Sequence, residues 1–139
     1  MNVLIDTSTI IAAVRSPRGA SAAIVRLVLM DQLSMVCSVP LFLEYEAVLL
    51  RPAHMQVAGA TVRDITNLLD VLAGKLVPVE IHYLWRPQLR DANDDMVLEA
   101  AVNGQANSII TFNSRDFLPH AHSFGMAVKT PGEFLKGLK

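Results

Sequence analysis

The run Val3-Leu4-Ile5, closing on Asp6, constrains the fold more than any other stretch of the chain. It has no polar alternate position, so a strand formed there is buried on both faces. Such strands belong to parallel sheets covered by helices on each side. Further short strands are expected at Ser34–Ser38, Leu76–Ile81, Ser108–Thr111 and Met126–Val128. Strands alternating with helices predict the α/β class, as a three-layer α/β/α sandwich around a central parallel sheet of four to five strands. At 139 residues the chain reads as a single domain, 1–139.

The segments between the strands carry helical signals. A helix is expected over Thr9–Val14, then a turn through Arg15-Ser16-Pro17-Arg18-Gly19 and a second helix from Ala20 to Met30. Pro40 sits in the first turn of a helix running to Leu50, which Arg51-Pro52 ends. Val62, Ile65, Leu68, Leu69 and Leu72 give regular helical spacing over 61–73, with Gly74 as the stop. Pro78 puts its strand near a sheet edge or a strand end. Residues 82–89 read as an irregular connector containing Trp85 and Pro87. Asn93-Asp94-Asp95 caps a helix reaching about Val102, with Gly104 ending it. A polar turn is expected after Thr111, with His120 and His122 in a loop, and Thr130-Pro131-Gly132-Glu133 is a capping start for a last helix.

Composition removes several classes of function. Hydrophobic residues make up 52 % and charged residues 18 %, which excludes disorder. The apolar excess goes either to a thickly covered sheet or to faces buried against partner chains. No basic leader precedes Asp6, so no signal peptide is expected. The longest apolar stretch is broken by Arg26 and too short to span a bilayer, so no membrane role is expected. One cysteine, Cys37, excludes an internal disulfide and fits a reducing cytoplasm, where it serves as a small buried apolar side chain. The net charge of −1 does not advertise nucleic acid, but the basic residues come into excess if four acids are committed to a metal.

Four acids repay individual weighing. Asp6 stands just past the carboxyl end of a strand, where open α/β sheets collect ligands and chemistry. On the 41–50 helix the apolar face is Leu41, Tyr45, Val48 and Leu49. At about 100° per residue Glu44 falls on the edge of that face and Glu46 points away. An acid there is also favoured by the helix dipole. On the helix after Asn93, Asp94 lies in line with Val97, Leu98 and Ala101, with Asp95 on the flank. A helix cap is one reading of Asp94, and contact with a cation is another. Asp91 reads as a turn residue. Asp116, in Thr111-Phe112-Asn113-Ser114-Arg115-Asp116-Phe117, lies beyond a strand that ends on the same side of the sheet as Asp6. Asp116 or Asn113 reaches back over the edge; alternatively Asp116 is a turn acid paired with Arg115. Four carboxylates at one end of a sheet repel unless a divalent cation neutralises them. An all-oxygen set selects Mg²⁺ or Mn²⁺, and such ions support in-line attack of water on a phosphodiester.

The ordered set Val3-Leu4-Ile5-Asp6-Thr7-Ser8, Ser38–Leu49, Arg90–Leu98 and Ile109–Phe117, closed by Val128–Leu135, resembles the PIN-domain ribonucleases, in particular the toxin-like branch of prokaryotic toxin–antitoxin systems. The resemblance covers nearly the whole chain. It implies Mg²⁺- or Mn²⁺-dependent cleavage of single-stranded RNA, dimerisation to a homodimer, and inhibition by a cognate antitoxin protein. It also implies Asp6, Glu44, Asp94 and Asp116 as catalytic, metal-holding acids, with Ser8, Thr111, Asn113 and Asp95 in support. The sequence departs from the pattern at Asn113, where many relatives carry an acid; Asp116 supplies that charge from further along the turn.

Arg115 is the arginine best placed to meet RNA phosphate, with Arg15, Arg18, Arg86 and Arg90 also in turns. Trp85 is a candidate to stack on a base, although packing suits it as well. Two other classes compete with the nuclease. One is a catalytically weak PIN-like module acting through protein–protein binding. The other is a phospho-receiver domain, which needs an acidic pair after the first strand and an Asp after a central one; His82-Tyr83 after Ile81 speaks against it.

Overall fold

The structure, a computed structural model, describes residues 1–81 and 92–138. The chain runs β1 (Asn2–Ile5), α1 (Thr7–Arg15), α2 (Ala20–Leu29), β2 (Ser34–Ser38), α3 (Val39–Leu49), α4 (Pro52–Ala58) and α5 (Val62–Ala73). It continues through β3 (Val77–Val79), α6 (Ala92–Asn103), β4 (Ser108–Ile110), α7 (Ser114–Ser123), β5 (Ala127–Lys129) and α8 (Pro131–Gly137). The five strands form one parallel sheet in the order β3-β2-β1-β4-β5. The fold is therefore the expected helix-flanked parallel sheet. Its central strand, β1, has Val3, Leu4 and Ile5 wholly buried, as a strand covered on both faces must be.

This strand order positions the site. The chain winds outward from β1 through β2 to β3, then crosses back to lay β4 on the other side of β1. Right-handed crossovers put successive connections on opposite faces where the winding reverses. A crevice therefore opens between the carboxyl ends of β1 and β4, and Ile5 pairs with Ile110 at its lip. Asp6 and Thr111 are the next residues of each strand.

Two helices lie where sequence signals pointed elsewhere. Arg51-Pro52 does end α3, but Pro52 also opens α4, because proline fits the first helical position, where the N–H has no partner anyway. The polar turn expected after Thr111 shrinks to residues 111–113, and α7 takes over from Ser114. Phe117 and Ala121, one turn apart and wholly buried, dock this helix, so His120 and His122 lie in its last turn rather than in a loop. α6 begins at Ala92, which puts Asn93 inside its first turn instead of ahead of it. Gly104 follows that helix but does not take a left-handed turn; Gln105 does, with φ 54°. What Gly104 supplies is closeness: a Cβ there would stand 2.8 Å from Val79 Cγ2 and 2.9 Å from the Ala100 carbonyl oxygen.

Capping boxes start α5 and α8. The Asp64 carboxylate accepts from the Thr61 N–H at 2.9 Å, and the Thr61 hydroxyl oxygen accepts from the Asp64 N–H at 3.1 Å. These bonds favour the ionised acid and hold the Asp64 carboxyl below its ordinary range. Such a group stabilises the fold above its unfolded-state value and stops doing so as the pH falls through the folded one. Asp64→Asn should therefore lower the melting temperature at pH 7. Its difference from the parent should close as acid titrates the carboxylate below about pH 4; melts across that range check it.

Candidate active site

The hydrogen bonding of the sheet runs one residue past β1, with the Asp6 N–H donating to the Ile110 carbonyl at 3.0 Å. There the chain turns into α1 and Asp6 becomes its N-cap. Carboxylate oxygen Oδ1 accepts from the Thr7 N–H at 2.8 Å. Oδ2 accepts from two hydroxyls, Ser8 at 2.9 Å and Thr111 at 2.7 Å. Asp6 is only 6 % exposed. Three donors and a helix N-terminus keep its charge tolerable there. A carboxylate offers roughly four acceptor positions, so about one remains for a cation or water. The Thr111 hydroxyl accepts in turn from the Asn113 N–H at 2.9 Å, tying the carboxylate to the turn between β4 and α7.

Glu44 arrives from α3, whose start is capped by the Ser38 hydroxyl. As the helical wheel requires, Glu44 is half-buried and Glu46 exposed. Its Oε2 accepts from the Thr7 hydroxyl at 2.9 Å. Thr7 thus joins the two acids, giving its N–H to Asp6 and its O–H to Glu44. Beneath them Tyr45 is wholly buried, its hydroxyl donating to the Ile5 carbonyl. Burial foremost, then the nearby Cys37, Asp6 and Glu44, pushes the Tyr45 hydroxyl well above its ordinary range, so it remains a donor. Tyr45→Phe keeps the ring but orphans a buried carbonyl; a loss of about 1–3 kcal/mol in denaturant unfolding is expected. Burial also pushes the Cys37 thiol up to about 12, which fits the packing role expected for that residue and leaves it unreactive.

The other acids stand further out. Asp94 and Asp95 occupy the first turn of α6; Asp94 is half-buried, while Asp95, expected on the flank, is the deeper of the two. The reason is that α6 packs against β1, β2, α3 and α7, which leaves it little free flank. Asp116 and Arg115 lie in the exposed first turn of α7, and Asn113 is its N-cap. Among the described residues no three His, Cys, Asp or Glu side chains stand close enough to hold a metal ion. The donors that do gather, Asp6 and Glu44, are oxygen ligands of the kind Mg²⁺ takes one or two at a time while keeping its waters. Trp85, Arg86, Arg90 and Asp91 lie outside the described residues, as does the connector at 82–89.

Two contributors have no sequence signature of their own. Thr7 only follows the strand end in the sequence, yet it bridges the acids. Tyr45 reads as an apolar-face residue, yet its hydroxyl fixes the end of β1. Glu99, one turn after Asp95, is also buried in α6, within the apolar run Leu98–Ala101.

An apolar cavity of about 240 Å³ lies elsewhere, between α1, α2 and α5, lined by Ile10, Val14, Val25, Arg26 and Leu72 among others. Its one charged group, Arg26, donates to the Pro17 carbonyl at 2.8 Å, so it lacks the groups a hydrolytic reaction needs. No helix among the described residues is long and apolar enough to cross a membrane.

Residues 2–115 match the PIN domain family. No curated protein matches the sequence. Among solved structures the chain is similar to VapBC2 from Rickettsia felis, determined bound to a DNA fragment from its promoter. The TM-score is 0.62 at 13 % identity, covering 94 % of this chain and 98 % of that one.

Proposed function

The chain belongs to the PIN domain family, and on that premise we propose that it is a Mg²⁺- or Mn²⁺-dependent endoribonuclease acting on single-stranded RNA. PIN domains are generally nucleases and generally use divalent metal ions. The observation that carries the proposal is the Asp6 carboxylate, held by three donors in the crevice between β1 and β4 and joined to Glu44 through Thr7. Asp6 and Glu44 would hold the ion, with Asp94 and Asp116 completing the acidic set around substrate. When bound, the ion activates water and neutralises charge on the phosphodiester. Ser8 and Thr111 keep the Asp6 carboxylate in one orientation, Asp95 supports Asp94 from the same turn, and Arg115 meets phosphate. Asn113 contributes its backbone N–H to Thr111 instead of a charge.

We assign the chain, as one nuclease domain over 1–139, to the toxin side of a toxin–antitoxin pair, working in the cytoplasm as a homodimer under a cognate antitoxin protein. The likeness to VapBC2 supports a partner of that kind. The purified protein should cut an end-labelled single-stranded RNA with Mg²⁺ or Mn²⁺ and stop on chelation. Failure to cut any single-stranded RNA at saturating Mn²⁺, with the fold intact, would sink the proposal.

A second reading, a catalytically weak module that works by holding a partner, is favoured by one observation: among the described residues, no third acid closes on Asp6 and Glu44. Alanine at Asp94 separates the two. Loss of cleavage with partner binding retained identifies the enzyme, whereas unchanged behaviour in both assays identifies the module.

A further inference from the structure

Phe112 is 54 % exposed, although Thr111 immediately before it is wholly buried. Its backbone is tied to the site on both sides. The Phe112 N–H faces the Ser8 hydroxyl at 3.4 Å, and the N–H of the next residue, Asn113, bonds the Thr111 hydroxyl at 2.9 Å. Those two hydroxyls are the ones that donate to Asp6 Oδ2. An exposed aromatic ring is thus anchored one residue away from the groups that orient the central carboxylate.

The surroundings of the ring indicate what it meets. Phe112, Asn113, Ser114, Arg115 and Asp116 line a surface depression of about 370 Å³, a size in the range of small-ligand sites. Apart from the ring, everything lining it is polar or charged. A protein contact built on an exposed phenylalanine draws on neighbouring apolar side chains, and no second one lines the depression. One aromatic face beside one guanidinium, with hydroxyl and amide groups between them, is the combination that takes unpaired nucleotides: a base stacks on the ring and the cation meets the backbone.

We propose that Phe112 is a stacking platform for a nucleobase of the single-stranded RNA, with Arg115 on the adjoining phosphate, so that the strand is registered against Asp6. The inference rests on the ribonuclease reading. It adds a determinant of position and base preference: an unpaired base is required beside the cut, and a duplex, whose bases cannot splay onto the ring, is excluded.

The test uses the full chain carrying Asp6→Asn to silence cleavage, in Mn²⁺, with a fluorescent RNA of about eight nucleotides, within usual single-strand site sizes. Adding Phe112→Ala should raise Kd about tenfold or more, whereas Phe112→Trp should restore it. Replacing single nucleotides by abasic ones should weaken binding at one position when Phe112 is present and have no effect there in the alanine variant. Equal Kd values for parent and Phe112→Ala, or the same abasic profile in both, would overturn the inference and leave the ring to a protein partner. Cleavage by the unmutated chain is measured separately. Cleavage with indifference to Phe112→Ala defeats the platform but not the nuclease. Phe112-dependent binding with no cleavage defeats the nuclease but not the platform, and absence of RNA binding together with absence of cleavage by the unmutated chain defeats both.

Discussion

Asp6→Asn should remove metal-dependent RNA cleavage while leaving the fold in place. Asparagine caps a helix about as well as aspartate, so α1 still starts where it does. The Ser8 and Thr111 hydroxyls can rotate to suit an amide, since each both donates and accepts. What disappears is the negative charge that a divalent ion requires. The loss should exceed the ~10–100-fold that follows from removing an outer partner of a metal ligand, the scale expected for Thr111→Val. Initial rates in Mn²⁺ beside thermal melts are the measurement. A variant that melts with the parent and still cuts within a few-fold of its rate would remove Asp6 from the centre of the site.

Phe117→Ala should be the most damaging single truncation in the half of the chain that carries α7. Phe117 is wholly buried and, with Ala121, docks the helix whose first turn presents Arg115 and Asp116. Deleting the ring removes its transfer energy and leaves a cavity, a cost of about 3–5 kcal/mol. Native domains have only about 5–15 kcal/mol in hand, so this is a large share of the total. Urea titration should show the midpoint falling with the slope unchanged. A loss under about 1 kcal/mol would mean that the site can collapse around the gap and that α7 is held by other contacts. RNA cleavage should fall as well, through misplacement of the first turn of α7.

The strands and the amphipathic α5 were legible because each has a local signature: β1 lacks a polar alternate over Val3–Ile5, β2 is apolar over Met35–Cys37, and α5 repeats its apolar residues at helical spacing. α4 and α7 were not, because Pro52 read as a breaker and the residues after Thr111 read as a polar turn. Pro52 in fact occupies a first helical position, and among the described residues of α7 Phe117 and Ala121 form the buried stripe. Asp6 and Glu44 could be picked from a strand end and a helical wheel. Their joining through Thr7 could not, since it depends on a hydroxyl reaching a residue 37 positions away. Periodicity put Asp94 in line with the buried face and Asp95 on the flank, yet Asp95 is the deeper of the two. The reason is that α6 packs against β1, β2, α3 and α7, which spacing along one helix does not encode.

The bond from Thr111 to Asp6 joins residues 105 apart in the chain. It has a consequence in time. Residues near the amino end leave the ribosome early, but their crevice wall arrives only with β4. At synthesis rates of about 5–20 residues per second, that delay is on the order of 5–20 s. Until then a growing chain lacks the β4 wall of the crevice and the Thr111 hydroxyl on Asp6. The last wall of the crevice is thus set by when β4 is made, not by when Asp6 is.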